Sequence, residues 1–276
     1  MKLGIRLHDL ASGQVDEVIA KCQQYGFEYV QLVFKKALKD SEGNPLLFNK
    51  ETATEVGKKF KEAGINVAML GAYFNPVHSN KDLVISNINY FEQHLKYASL
   101  LNCNYVGTET GSYNDDKWTY NPKNQTEEGY QDTMKVFHHL VKVAEAYGTT
   151  LLMEPAYGHI IYSVDQLERA VNELNSPNIQ VTIDIYNLLY SGNYKDYKEI
   201  FTKACKTFGK QIKIFHLKDF YPEEDKLIQV GLGKGIIDFD FIIRTIKEYS
   251  PDSTMIFEGV KAPDIEDSLI LIKHLM

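Results

Sequence analysis

The chain has 276 residues, 44% hydrophobic and 24% charged, with 30 Lys and Arg against 37 Asp and Glu for a formal net charge of −7. That length and composition exclude a disordered, fibrous or disulfide-dependent molecule, because a chain of this size buries enough apolar surface to fold without a staple. The acidic balance argues against a protein built to grip nucleic acid or an anionic membrane, so neither partner is expected.

The chain opens with Lys2 and Arg6 but no sustained apolar run or small-residue cleavage site, so no leader is expected. A first strand is expected at 3–8 (LGIRLH), with His8 at its end, and then a helix at 14–25 stopped by Gly26. The second strand, 28–34 (EYVQLVF), precedes a helix at 49–63 that ends at Gly64. The third, 65–73 (INVAMLGAY), runs into a loop holding Asn75 and His78 and then a helix at 81–101. The fourth, 104–110 (NYVGTET), ends near Glu109. The segment 111–125 behind it holds the only tryptophan, Trp118, and has the length of a lid; a helix at 126–147 follows, stopped by Gly148. The fifth strand, 149–156 (TTLLMEPA), carries Glu154 and leads past His159 to a helix at 164–175 capped by Ser163. The sixth, 179–186 (IQVTIDIY), carries Asp184, with Asn187 just beyond, and precedes a helix at 195–208 stopped by Gly209. The seventh, 212–218 (IKIFHLK), presents His216 and Lys218, with Asp219 next. In GLGKGIIDF, 231–239, the glycines and Lys234 offer N–H groups to a phosphate or simply turn the chain into a helix at 238–249 capped by Asp238. The eighth strand, 254–259 (TMIFEG), ends in Glu258, and a helix at 264–275 starts at Asp264 after Pro263.

Eight strands alternating with eight helices, with no linker and no change of composition, predict one α/β domain over 1–276, a closed (β/α)8 TIM barrel. An open doubly wound sheet shares the alternation, but no GxGxxG follows the first strand. Cys22, Cys103 and Cys205 are odd in number and far apart, which suits a reducing, cytoplasmic setting. No segment has the length and apolarity of a membrane span. A homo-oligomer is compatible with all of this.

Function in such a barrel is expected at the C-terminal ends of the strands. Glu154, Asp184, His216 and Glu258 come from four neighbouring strands and converge there on the expected fold. Three carboxylates and an imidazole are a hard, mixed donor set for one divalent ion, Mn²⁺, Mg²⁺, Co²⁺ or Zn²⁺, and so many like charges need a cation between them. Glu109, His159, Asn187, Lys218, Asp219, Trp118, His78 and His8 stand where a substrate would be contacted; the histidines of the helices, His94, His138, His139 and His274, are read as structural.

LLMEP, TIDIYN, FHLKD and IFEG, in that order, resemble the xylose-isomerase-like TIM-barrel superfamily of sugar isomerases and epimerases. The resemblance implies that Glu154, Asp184, His216 and Glu258 ligate a metal and that Glu154 and Glu258 also form the acid/base pair. It implies a small ketose, aldose or keto-acid as substrate, with a proton moved next to a carbonyl through an enediolate. The same site would serve an inosose-type dehydratase, and a barrel that only binds sugar is the reading from outside enzymology. The endonuclease IV branch is the poorest match: the extra histidines of a three-zinc site are missing, with Ala72 and Tyr73 ending the third strand and Asn187 in place of a histidine after the sixth. That asparagine also departs from the ketose 3-epimerase pattern, and the epimerase arginine after the seventh strand has no counterpart. The resemblance therefore leaves the sugar open. The scarcity of arginine, with only Arg6, Arg169 and Arg244, points to an uncharged one.

Overall fold

In the computed structural model, which describes residues 1–276, the alternation becomes eight parallel strands closed into a barrel. The strands β1 (Lys2–Arg6), β2 (Tyr29–Leu32), β3 (Asn66–Gly71), β4 (Tyr105–Glu109), β5 (Thr150–Glu154), β6 (Ile179–Asp184) and β7 (Ile212–Leu217) succeed one another round the ring. A hairpin outside it, β8 (Asp219–Glu223) and β9 (Lys226–Val230), comes before β10 (Thr254–Phe257), which closes the barrel between β7 and β1.

The helices are α1 (Leu7–Leu10), α2 (Val15–Tyr25), α3 (Phe34–Ala37), α4 (Lys50–Glu62), α5 (Lys81–Tyr97), α6 (Glu127–Tyr147), α7 (Val164–Leu174), α8 (Tyr197–Phe208), α9 (Phe239–Tyr249) and α10 (Ile265–Leu275). Every helix expected from periodicity is present, and the caps follow the sequence at most ends. Gly26, Gly64 and Gly148 take positive φ of 70°, 75° and 65° after their helices, while Ser163 and Asp238 accept from Gln166 N and Phe241 N. Asp264 does not cap α10; its carboxylate is drawn instead to Lys234. The elements not anticipated are α1, α3 and the hairpin. The two helices are single turns, too short to show a period, and Pro222 with a charged turn hides a strand pair that no barrel neighbour extends.

Along each barrel strand the side chains alternate between two environments. Met153, Ile183, Phe215 and Phe257 face outward into a core of 67 buried residues between strands and helices. Met69, Leu152, Ile214 and Ile256 fill the barrel itself. Gly107 leaves the space that the Met69 sulfur occupies, so a Cβ there would collide with it. This plug closes the lower barrel and leaves only the mouth open to chemistry.

Candidate metal centre

The same alternation decides what stands above the plug. Two residues beyond Leu152, Ile214 and Ile256, on the same inward face, are Glu154, His216 and Glu258; Asp184 follows Thr182, whose hydroxyl reaches the Met69 sulfur at 3.7 Å. Register brings them level, since Asp184 pairs with His216 and Glu109 with Glu154 across their ladders. Glu154, Asp184, His216 and Glu258 are all buried, and each offers a donor atom within 4.8 Å of the others. Donors on opposite sides of one ion, at roughly 2.1 Å each, lie about 4.2 Å apart, so the set closes on a single cation with a small adjustment.

The donor chemistry agrees. His216 Nδ1 faces the carboxylates, 2.7 Å from Glu258 Oε2, 3.2 Å from Glu154 Oε1 and 3.8 Å from Asp184 Oδ2. Its Nε2 donates to Gln31 Oε1 at 2.7 Å, and Gln31 Nε2 in turn donates to the Tyr73 hydroxyl at 2.7 Å. Gln31 thus keeps one imidazole nitrogen protonated and turns the other toward the acids. Asp184 Oδ2 and Glu258 Oε2 are both buried and face a cationic nitrogen, Lys218 Nζ at 2.8 Å from the first and His216 Nδ1 at 2.7 Å from the second. Together with Glu154 and the imidazole they bring three carboxylates to one buried point, a concentration of like charge that a cation offsets. The cluster can hold a metal ion.

Three cations surround the acids. Lys218 also reaches Glu258 Oε1 at 3.2 Å and donates to Asn187 Oδ1 at 3.1 Å. Arg6, at the end of β1, bonds Glu258 and is clamped to Asp9. Burial raises the Asp184 carboxyl, and Lys218 and His216 offset this only in part. Burial raises Glu258 too, but His216, Lys218 and Arg6 outweigh it and hold the group well below the ordinary carboxylate range. Burial lowers His216, yet Glu258 and Glu154 push its imidazole up to about 10. A divalent cation on the same donors competes with the proton on Nδ1, so metal binding and His216 protonation exclude one another.

Of the other residues singled out in the sequence, several meet here. Asn187 donates to Glu154 Oε1 at 2.9 Å and lies 3.4 Å from Glu109 Oε1, bridging the two glutamates. Glu109, Glu154 and Glu258 open on an inner cavity of about 320 Å³, with His8 and Trp118 in its wall. Burial, then Glu154 and Glu258, push the Glu109 carboxyl well above its usual range. His8 sits in α1 rather than at a strand end, because β1 stops at Arg6. His159 is buried, 4.0 Å from Glu109, with Nε2 on the Trp118 carbonyl at 3.2 Å; burial lowers it to about 4.

Two of the residues expected to contact substrate are engaged by other groups of the chain. Asp219 is fully buried, and its two oxygens accept from Phe220 N, Gly233 N, Gly235 N and Ile237 N. The N–H groups offered to a phosphate in the sequence are therefore turned inward on a carboxylate. His78 accepts from Asn80 N through Nδ1 and faces Asp115 and Asp116, outside the residues that line the cavity. Asn75 likewise donates to Ser112 O and Asp115 O. With Asn124 bonded to Gly158 O at 2.7 Å, these contacts link 111–125 to the loops after β3 and β5. Sequence reasoning missed Arg6, Gln31 and Tyr73. A glutamine in the apolar run YVQLVF was the available signal for Gln31.

A sequence model described as xylose isomerase-like TIM barrel matches residues 19–274. No curated protein matches the chain significantly by sequence. Among solved structures, a D-tagatose 3-epimerase-like protein is 18% identical with a TM-score of 0.77, covering 100% of this chain and 97% of its own. The IolI protein with a binding zinc atom is 19% identical at TM-score 0.74, covering 100% and 96%. AsbF of Bacillus anthracis, a probable 3-DHS dehydratase, is 15% identical at 0.75, covering 99% of each chain. At these identities the likeness is one of fold.

Proposed function

The chain belongs to the family of xylose isomerase-like TIM barrels, and from that premise we propose that it is a divalent-metal-dependent sugar isomerase or epimerase. Glu154, Asp184, His216 and Glu258 would hold the ion, and their oxygen-rich set suits Mn²⁺, Mg²⁺, Co²⁺ or Zn²⁺. When bound, such an ion supplies Lewis acidity toward a carbonyl oxygen and so acidifies the neighbouring C–H. The observation that carries the reading is the pair of glutamates, Glu154 on β5 and Glu258 just past β10, opening on one cavity from different strands. One takes a proton from the carbon beside the carbonyl, and the other stands ready to return one. Return to the adjacent carbon isomerises the sugar; return to the opposite face of the same carbon epimerises it. Lys218 and Asn187 hold these carboxylates in place. The three cysteines, all buried and unpaired, support a reducing, intracellular setting.

A dehydratase is the second reading. Glu109 is a third glutamate on the same cavity, bridged through Asn187 to Glu154, and supplies the further acid that loss of a hydroxyl requires. A metal-supplemented screen of ketoses, aldoses and inososes, read by product chromatography, separates the two. Conversion without water loss supports the isomerase. Turnover that survives both chelation and Glu258→Gln would sink either reading.

A further inference from the structure

The inner cavity has a larger neighbour. Glu109 and Trp118 line it and also line a second, larger cavity of about 800 Å³, so these two side chains form a shared wall. The outer cavity differs in kind. Tyr120, Tyr157, Tyr186 and Tyr190 line it with Leu189 and Leu227. Tyr157 stacks on Tyr120 with ring centres 5.8 Å apart and planes 10° apart, and on Tyr190 at 3.9 Å and 8°. The three rings come from the separate loops after β4, β5 and β6, so the stack is assembled by the fold and not by neighbours in sequence. Its supports are rigid: Tyr157 N donates to Asn187 O at 2.7 Å, and Tyr190 N to Asn193 Oδ1 at 2.8 Å. Even so, Tyr120 and Tyr190 stay 45% and 37% exposed. Aromatic rings clustered at a cavity and left partly wet mark a ligand face that is flat and apolar with hydrogen-bonding edges.

We infer that the substrate has two rings: a carbonyl-bearing sugar in the inner cavity and, joined to it past Glu109 and Trp118, a second ring against the tyrosine stack. The substrate class is therefore a glycoside. The shared chemistry of that second ring is a flat, weakly hydrated face, which a pyranose or an aromatic aglycone presents. The inference rests on the proposed reaction only for which ring reacts; binding at the tyrosines stands apart from the metal.

Trp118, the only tryptophan, lies in the shared wall and reports occupancy by its fluorescence. The full chain, metal-free and Mn²⁺-loaded, is titrated with methyl β-glucoside, phenyl β-glucoside and cellobiose. Binding of a two-ring probe at least tenfold tighter than the methyl glycoside is expected in both forms. Cellobiose leading names a sugar as the second ring, and the phenyl glycoside leading names an aromatic one. Tyr157→Ala is expected to erase the preference; Tyr120→Ser, at an exposed position, is expected to weaken it should the first variant fold poorly. Equal affinities for one- and two-ring probes would overturn the inference, as would a dimer that Tyr157→Ala dissociates, since a second copy would then own the tyrosines. A failed sugar screen with the two-ring preference intact would count against the proposed reaction alone.

Discussion

Gln31 Oε1 meets His216 Nε2 at 2.7 Å, and that contact decides which imidazole nitrogen faces Glu154, Asp184 and Glu258. Outer groups of this kind typically account for ten- to a hundredfold in metal affinity. Gln31→Leu is therefore expected to weaken Mn²⁺ or Zn²⁺ binding by about that factor in calorimetric titration, with an unchanged fold by circular dichroism. Unchanged affinity would show that His216 is oriented by other means. A second residue-scale expectation concerns stability. His94 is fully buried, stacked on Phe48 at 3.8 Å, with Nδ1 on the Tyr90 carbonyl and no partner for Nε2. Burial lowers its pKa from 6.5 to about 4, so the unfolded chain binds the proton first. Its stabilising neutral form is fully present above pH 6.5 and its contribution is lost as pH falls toward 4, at most roughly 3 kcal/mol at about 1.36 per unit. His94→Leu should flatten the fall in Tm over that window, and an identical pH profile would contradict the assignment. The three clustered acids and the imidazole were legible from sequence because strand ends in a barrel point to one place. Arg6 and Gln31 were not, because Glu258 and His216, which they meet at the site, lie far along the chain and only the closed barrel brings them together.

At the scale of elements, the loop from Gly231 to Ile237 shows how a charged residue next to the site need not belong to its chemistry. Asp219 satisfies four backbone N–H groups there, and Gly235 leaves no room for a Cβ against Phe220 O and Asp219. Asp219→Ala strands those donors in a buried place and is expected to cost on the order of 3 kcal/mol, with metal affinity retained. Differential scanning calorimetry would register this as a Tm lower by roughly 6–12 °C; a loss of metal binding at unchanged Tm would return Asp219 to the site. The barrel strands and eight long helices could be read from period and caps, as at Ser163 and Asp238. The hairpin β8–β9 could not, since Pro222 and the charges of its turn read as loop, and pairing between its two strands is what makes them extended. The contacts of the 111–125 segment were hidden for a related reason: Asn75 and Asn124, which bond across it, act across the fold.

For the molecule as a whole, closure of the ring between β1 and β10 settles barrel against open sheet, a choice that alternation alone could only favour. The net charge of −7 also takes on a location, since Glu109, Glu154, Asp184 and Glu258 gather at one mouth with Arg6 and Lys218 between them. Arg6 lies at the cavity but is engaged by Asp9 and Glu258. A metal bound by the native chain and not by the unfolded one stabilises it, by about 2.7 kcal/mol at a hundredfold excess over Kd. Adding Mn²⁺ should thus raise Tm by roughly 5–10 °C, and Asp184→Ala should abolish the rise. No helix is long and apolar enough to cross a membrane. The central claim, proton transfer beside a carbonyl by Glu154 and Glu258, is tested most directly by turning over an active sugar in D₂O and reading the product by proton NMR. The account predicts one deuteron on the carbon next to the carbonyl and loss of that incorporation in Glu154→Gln. Product formed with no deuterium at that carbon would mean that hydrogen passes directly between carbons, and would contradict it.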